Sequence, residues 1–208
     1  MAGLVAGLGG CPAGTNPGAP DGGADGNTGT GLTFSWQSVP TIPGDVGGGA
    51  SIDEAQLIVR NLRAIGDSAP GDERTTTPMA TLLWNGQTTP AAINYPLAPP
   101  GLYSHVELRA DGGLFDALVI HGHAVQGGTT YPFELEVDGP ISMSLPLSLE
   151  LPAGGSASAR IDIDLGAVVD TIDWETATID DGKLRYEASS SSTAAAALKA
   201  GVTVSAPQ

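Results

Sequence analysis

The stretch "ISMSLPLSLELP", residues 141–152, places Ile141, Met143, Leu145, Leu147, Leu149 and Leu151 at every second position, with Ser and Glu mostly between them. Successive side chains of a strand point to opposite faces, so a strict period of two builds a half-buried strand and not a helix face. "SARIDIDLG" repeats the scheme, with Ile161, Ile163 and Leu165 inward and Asp162 and Asp164 outward. Near the other end, "LTFSWQSV" alternates Leu32, Phe34 and Trp36 against Thr33 and Ser35. "EAQLIVRNLRAI" at 54–65 and "MATLLWNG" at 79–86 add two runs rich in β-formers. Pro146 cannot donate to a ladder, so its strand is expected at a sheet edge or at a bulge.

Roughly eight such strands, separated by turn residues, predict an all-β fold, an antiparallel β-sandwich over residues 31–208. Asn85-Gly86 carries a hairpin-type turn signal. "GLYSHVELRADGG" with "FDALVIHGHAVQGG" reads as one hairpin, and "TYPFELEVDGP" with "ISMSLPLSLELP", joined at Asp138-Gly139, as another. Only the end departs from the β pattern. "STAAAALKAG", 192–201, has a Ser/Thr cap, an alanine run and a terminal Gly, which predicts one short C-terminal helix. "GAVVDTIDW" fits a strand end or a helical turn.

Charge narrows the partners. With 23 Asp and Glu against 8 Lys and Arg, the net charge is −15. A chain this acidic repels nucleic acid and anionic lipid surfaces, and its charge reads as a solvated, aggregation-resistant exterior. One cysteine excludes an intrachain disulfide. The enzyme motifs fail: "AGGSASAR" has its serine in the wrong frame for a nucleophile elbow, and there is no P-loop, C-x-x-C or H-E-x-x-H. The carboxylate pairs Asp162/Asp164 and Asp180/Asp181 have the spacing of solvated faces, so no catalytic residues are assigned. "PDGGADGNTG" lacks the spacing and distal Glu of a calcium loop.

The histidines are the remaining chemistry. His121 and His123 stand two apart in "LVIHGHAVQGG", and His105 lies sixteen residues before them. Leu102, Val106 and Leu108 are even-numbered, as are Leu118, Ile120 and Ala124, so the core phase puts all three histidines on the outer face. If the two strands pair through "ADGGL", His105 faces His121 directly or lies diagonal to it, within reach of one ion. Three imidazoles suit zinc or copper.

At the N-terminus, "LVAGLGGC", residues 4–11, is a short apolar stretch closing in small residues before Cys11, like a bacterial lipobox whose cysteine carries lipid. No Lys or Arg precedes Arg60, so the basic segment that opens a signal peptide is expected upstream of the given start. Residues 1–11 thus read as a signal and lipobox-like segment and 12–30, nearly all Gly, Pro, Asn, Asp, Thr and Ala, as a tether.

Taken with "LAPPGLYSHVEL", "IHGHAVQGGTTYPFELEV" and "TIDWETATIDDGKL", this layout resembles bacterial cell-envelope lipoproteins of unknown function, of the DUF4382 type. More distantly it is similar to the MbnP-type periplasmic copper-binding proteins. Both resemblances imply a β-sandwich, and the second implies copper. The expected function is that of a lipid-anchored cell-envelope protein, facing the periplasm or outer surface, with a non-catalytic binding or structural role. Its partner would be a protein or a glycan, and its membrane contact the lipid alone. The alternative is a periplasmic or surface protein holding copper or zinc on His105, His121 and His123.

Overall fold

Leu32, Phe34 and Trp36 are buried along β1 (Gly31–Val39), in the alternation read from the sequence. The computed structural model describes residues 30–67 and 73–206; the expected signal segment, Cys11 and all but the last residue of the expected tether lie outside them. After β1 come β2 (Gly44–Gly47), β3 (Ala50–Gly66), β4 (Glu73–Trp84), β5 (Ile93–Tyr95), β6 (Gly101–Ala110) and β7 (Leu118–Gln126). They are followed by β8 (Thr129–Val137), β9 (Ile141–Leu151), β10 (Ser156–Asp164), α1 (Leu165–Val169), β11 (Thr178–Asp180), β12 (Lys183–Ala188), α2 (Thr193–Gly201) and β13 (Val202–Ser205). The fold is an all-β sandwich of two sheets with a short C-terminal helix. The smaller sheet has the order β13-β10-β1-β5. The larger runs β11-β12-β8-β7-β3-β6-β9, with β2 and β4 also on β3.

The core is one apolar cluster fed by the inward residues of both sheets. Phe34 and Ile161 come from the smaller sheet, and Leu57, Leu135 and the odd-numbered residues of β9 from the larger. Helix α2 is capped by the Ser192 hydroxyl, which accepts from the Ala195 amide at 3.1 Å, and it buries Ala194, Ala195 and Leu198. "GAVVDTIDW" resolves into helix α1, capped by the Asp164 carboxylate, and the turn after it. Most ladders are antiparallel, but β1 on β10 and β12 on β8 are parallel. Strand β9 ends the sheet order, and its Pro146 sits beside a register shift in β6, as an edge proline should.

One strand organises the larger sheet. The 17-residue β3 pairs through Ser51–Leu57 with β7 and through Val59–Gly66 with β6. At the hand-over the Ile58 amide donates to the Ala117 carbonyl and the Ile58 carbonyl accepts from the Asp111 amide, at 2.9 and 3.0 Å. Both groups of one residue point to one side, so β6 and β7 lie end to end along the same edge of β3. Strands β8 and β9 repeat the arrangement one row out, β8 on β7 and β9 on β6.

Three expected hairpins are therefore corrected. β6 does not fold back on β7, and β8 does not fold back on β9; in each case the connection carries the chain onward. Asp111 shapes the first of these connections, its carboxylate accepting from the Gly113 amide and its carbonyl from Arg60 Nε. At Asn85-Gly86 the Asn85 side chain accepts from the amides of Gln87 and Thr88, and the chain leaves for β5 in the other sheet. Strand β7 does form a hairpin, with β8, through Gly127-Gly128, both at positive φ, a two-residue turn whose twist matches the strands.

Candidate functional site

Bulges set the outer face of β3 and hence the surroundings of the histidines. Between Ile52 and Glu54 the register against β7 slips by one residue, so Asp53 and Glu54, neighbours in sequence, both stand on the solvent side. Strand β7 turns Leu118, Ile120, Gly122 and Ala124 inward, and His121 and His123 outward. Glu54, His121 and Glu134 are then consecutive cross-strand partners. His121 Nδ1 lies 3.6 Å from Glu54 Oε1, and its Nε2 lies 3.3 Å from Glu134 Oε2. His123 Nδ1 lies 2.8 Å from Asp53 Oδ2.

The glycine between the two histidines has a packing role. A Cβ on Gly122 would stand 1.9 Å from the Ser51 carbonyl oxygen and 2.8 Å from the Phe133 ring. Phe133 in turn packs on Trp174 with ring centroids 4.5 Å apart. The "HGH" motif is thus two outward imidazoles around a glycine that lets β3, β7 and an inward aromatic pair approach closely.

Glu134 is the centre of the charged row. Lys183 Nζ lies 2.8 Å and Arg185 Nη1 2.6 Å from its carboxylate, and Arg185 Nε reaches Asp180 at 3.2 Å. The Lys183 hydrogen bond, against the cost of burial, holds the Glu134 carboxyl below the usual range, with Arg185 and His121 adding to it. These cations already neutralise the carboxylate on which His121 would depend in a metal shell.

His105 is elsewhere. It pairs with Ile65 of β3 and Pro146 of β9, with its Nε2 3.7 Å from Glu107 and its Nδ1 3.0 Å from the Ser104 hydroxyl. Because β6 and β7 are end to end, His105 and His121 are separated by the length of β3 from Glu54 to Ile65, roughly 35 Å at about 3.3 Å per residue. A bulge in β6 also changes its phase: Tyr103 is buried and bonded to the Pro99 carbonyl at 2.7 Å, and Leu102, expected inward, is 42% exposed.

The three histidines share an outer face but do not converge. Among the described residues no group of three or more His, Cys, Asp and Glu is arranged to hold a metal ion. The described residues do not fit the copper that the MbnP-type resemblance implies. The Asp162 and Asp164 side chains are engaged structurally instead: Asp162 pairs with Arg160 Nε at 2.8 Å and Asp164 caps α1.

Two clusters have no counterpart in the sequence pattern. At the β6–β7 connection, burial raises the pKa of Asp116 above its ordinary value, and the neighbouring carboxyls of Asp138 and Glu187 raise it further. Glu136, directly opposite Glu187 in β12, is raised by burial and then by Asp116, Glu134 and Glu187. The second cluster is basic: Arg63, Arg109 and Lys199 line a cavity of about 820 Å³ with Asn61, Ser142 and Ser144.

Among the described residues no helix is long and apolar enough to cross a membrane. No protein-family model, curated protein or solved structure matches this chain.

Proposed function

We propose that this chain is a lipid-anchored protein of the bacterial cell envelope whose sandwich has a non-catalytic binding or structural role, in line with the DUF4382-type resemblance. The observation that carries the reading is the order of parts. "LVAGLGGC" closes on Cys11, the Gly/Pro-rich segment 12–30 follows, and the first strand begins at Gly31. In this reading the lipid holds the chain at the membrane and the segment spaces the domain from it. The acidic exterior supports it further: a net charge of −15 disfavours direct adsorption to anionic lipid, leaving the acyl chains as the attachment.

The test is fractionation after expression in a bacterium with the complete leader. The parent is expected in the membrane fraction, and Cys11→Ser in the soluble fraction. Identical partitioning of the two proteins would defeat the reading.

A further inference from the structure

A strand at the end of a sheet carries unpaired backbone N–H and C=O groups, which proteins protect by shortness, charge, proline or cover. Most of the terminal strands here follow that rule. β2, β5, β11 and β13 are three or four residues long. β9 is long, but it carries Pro146 and Glu150 and packs beside β13 and α2. β4 is the exception. It has 12 residues and, among the described residues, pairs only with β3, so its other side is open. No Lys, Arg, Asp or Glu occurs from Thr75 to Ser104, in a chain with a net charge of −15.

The pairing fixes which groups face the open side. Both backbone groups of Ile58 point toward β6 and β7, away from β4. Ile58 stands opposite Thr81, and in an antiparallel ladder the two residues of such a pair turn their groups away from each other. Thr81 therefore directs its N–H and C=O to the open edge, and the alternation of the strand gives Met79 and Leu83 the same direction. Leu82 and Trp84 belong to the phase that bonds to β3, and both are buried. Pro78 does not guard these groups: it lies between the pairs Arg60–Met79 and Leu62–Thr77, outside the 79–83 segment. On the outer face of that segment Met79 is 55% exposed, Thr81 exposed and Leu83 half-buried.

We propose that β4 pairs with β4 of a second copy of this chain, antiparallel about a two-fold axis at Thr81, so that the larger sheets of two molecules become continuous. In this register Thr81 meets its own counterpart, and Met79 meets the second copy's Leu83 on both sides of the axis. All three pairs are of the hydrogen-bonded kind, and Thr–Thr and apolar neighbours across a ladder are favourable. Charge selects this occupant. Two copies of so acidic a chain repel each other over most of their surface, and a charge-free edge is where they can approach. A basic partner would be drawn to the acidic surfaces instead. The contact is isologous and uses up the open edge, so assembly stops at two. The inference concerns the folded domain and not the anchor, so its failure would leave the Cys11 result untouched.

The test is analytical ultracentrifugation of the full 208-residue chain carrying Cys11→Ser, which removes its one thiol. A reversible monomer–dimer equilibrium with Kd below about 1 mM is expected, and it should tighten as salt is raised from about 0.02 to 0.5 M, because screening relieves the repulsion between two acidic copies. Thr81→Pro removes an N–H from each strand, and Thr81→Lys sets like charges directly opposite each other; each should weaken the dimer at least about tenfold. Thr81 is exposed, so the lysine variant should melt with the dilute parent and report on pairing alone. In the Cys11→Ser background, Thr81→Cys should give a disulfide-linked dimer on mild oxidation, since directly opposed residues have Cα atoms about 5.5 Å apart, and the exposed Ser190→Cys should not. The proposal is overturned if the chain stays monomeric up to about 1 mM, which would leave the edge to an extended segment of another protein. It is also overturned if either Thr81→Pro or Thr81→Lys dimerises as the parent does, or if Thr81→Cys cross-links no more readily than Ser190→Cys. A dimer that dissociates as salt is raised would overturn it too, by showing an ion-paired interface elsewhere.

Discussion

Gly122 carries more of the structure than the two histidines beside it. Its missing side chain is the space in which the Ser51 carbonyl and the Phe133 ring meet β7. Gly122→Ala should therefore destabilise the fold by about 1–3 kcal/mol, the usual cost of overpacking, because the nearest neighbour is backbone and cannot rotate away. Chemical denaturation would measure it; an alanine variant as stable as the parent would mean that β3 and β7 are further apart than described. The His123–Asp53 and His121–Glu54 pairs, by contrast, join half-exposed side chains, and pairs of that kind contribute little, while His121 is the last of the groups that steady the largely buried Glu134. The histidine pattern was visible in the sequence. Its meaning lay in the small residue between them, whose contacts come from strands far away in the chain.

At the scale of the element, legibility followed the regularity of the strand. Where the period of two runs unbroken, in β9 and β10, the inward set read from the sequence is the buried set; in β1 the inward Leu32, Phe34 and Trp36 are buried, but so are Gly31 and Thr33 from the opposite phase. Where a residue is inserted the phase is lost, as at Asp53, Asn61 and Ser104. Asn61 has a φ of 53°, a left-handed conformation that Asn tolerates better than most residues, so a polar residue in mid-strand was the available sign. Pairing was harder still. Turn residues report the local path of the chain, whereas the end-to-end placement of β6 and β7 depends on both finding partners along β3. The acidic cluster at their junction follows from that placement and had no local sign. A carboxyl whose pKa is raised on folding holds its proton more tightly in the native state, so native stability grows as pH falls toward that raised pKa and is least when the group is ionised. Asp116 is such a group. Asp116→Asn should stabilise the protein at pH 7 by about 0.5–1 kcal/mol, the scale of a relieved repulsion near the surface. The gain should shrink as pH is lowered and the parent carboxyl protonates. Thermal melts across pH 4–7 would show it, and a gain that grows on acidification would contradict the raised Asp116 carboxyl.

At the scale of the molecule, the larger sheet and the fate of the histidines turn on one arrangement. The long β3 is flanked by split rows, which disperse the three histidines along a face and gather Arg60, Arg63 and Arg109 at one end of it. Had β6 and β7 formed a hairpin, His105 would stand beside or diagonal to His121, the placement the three-histidine alternative requires. Their separation is therefore the most direct test. Spin labels on His105→Cys and His121→Cys, in a Cys11→Ser background, should report a single distance of roughly 30–35 Å by pulsed electron resonance. A distance within about 10 Å, the reach of paired cross-strand positions, would contradict the end-to-end strands and restore the three-histidine site.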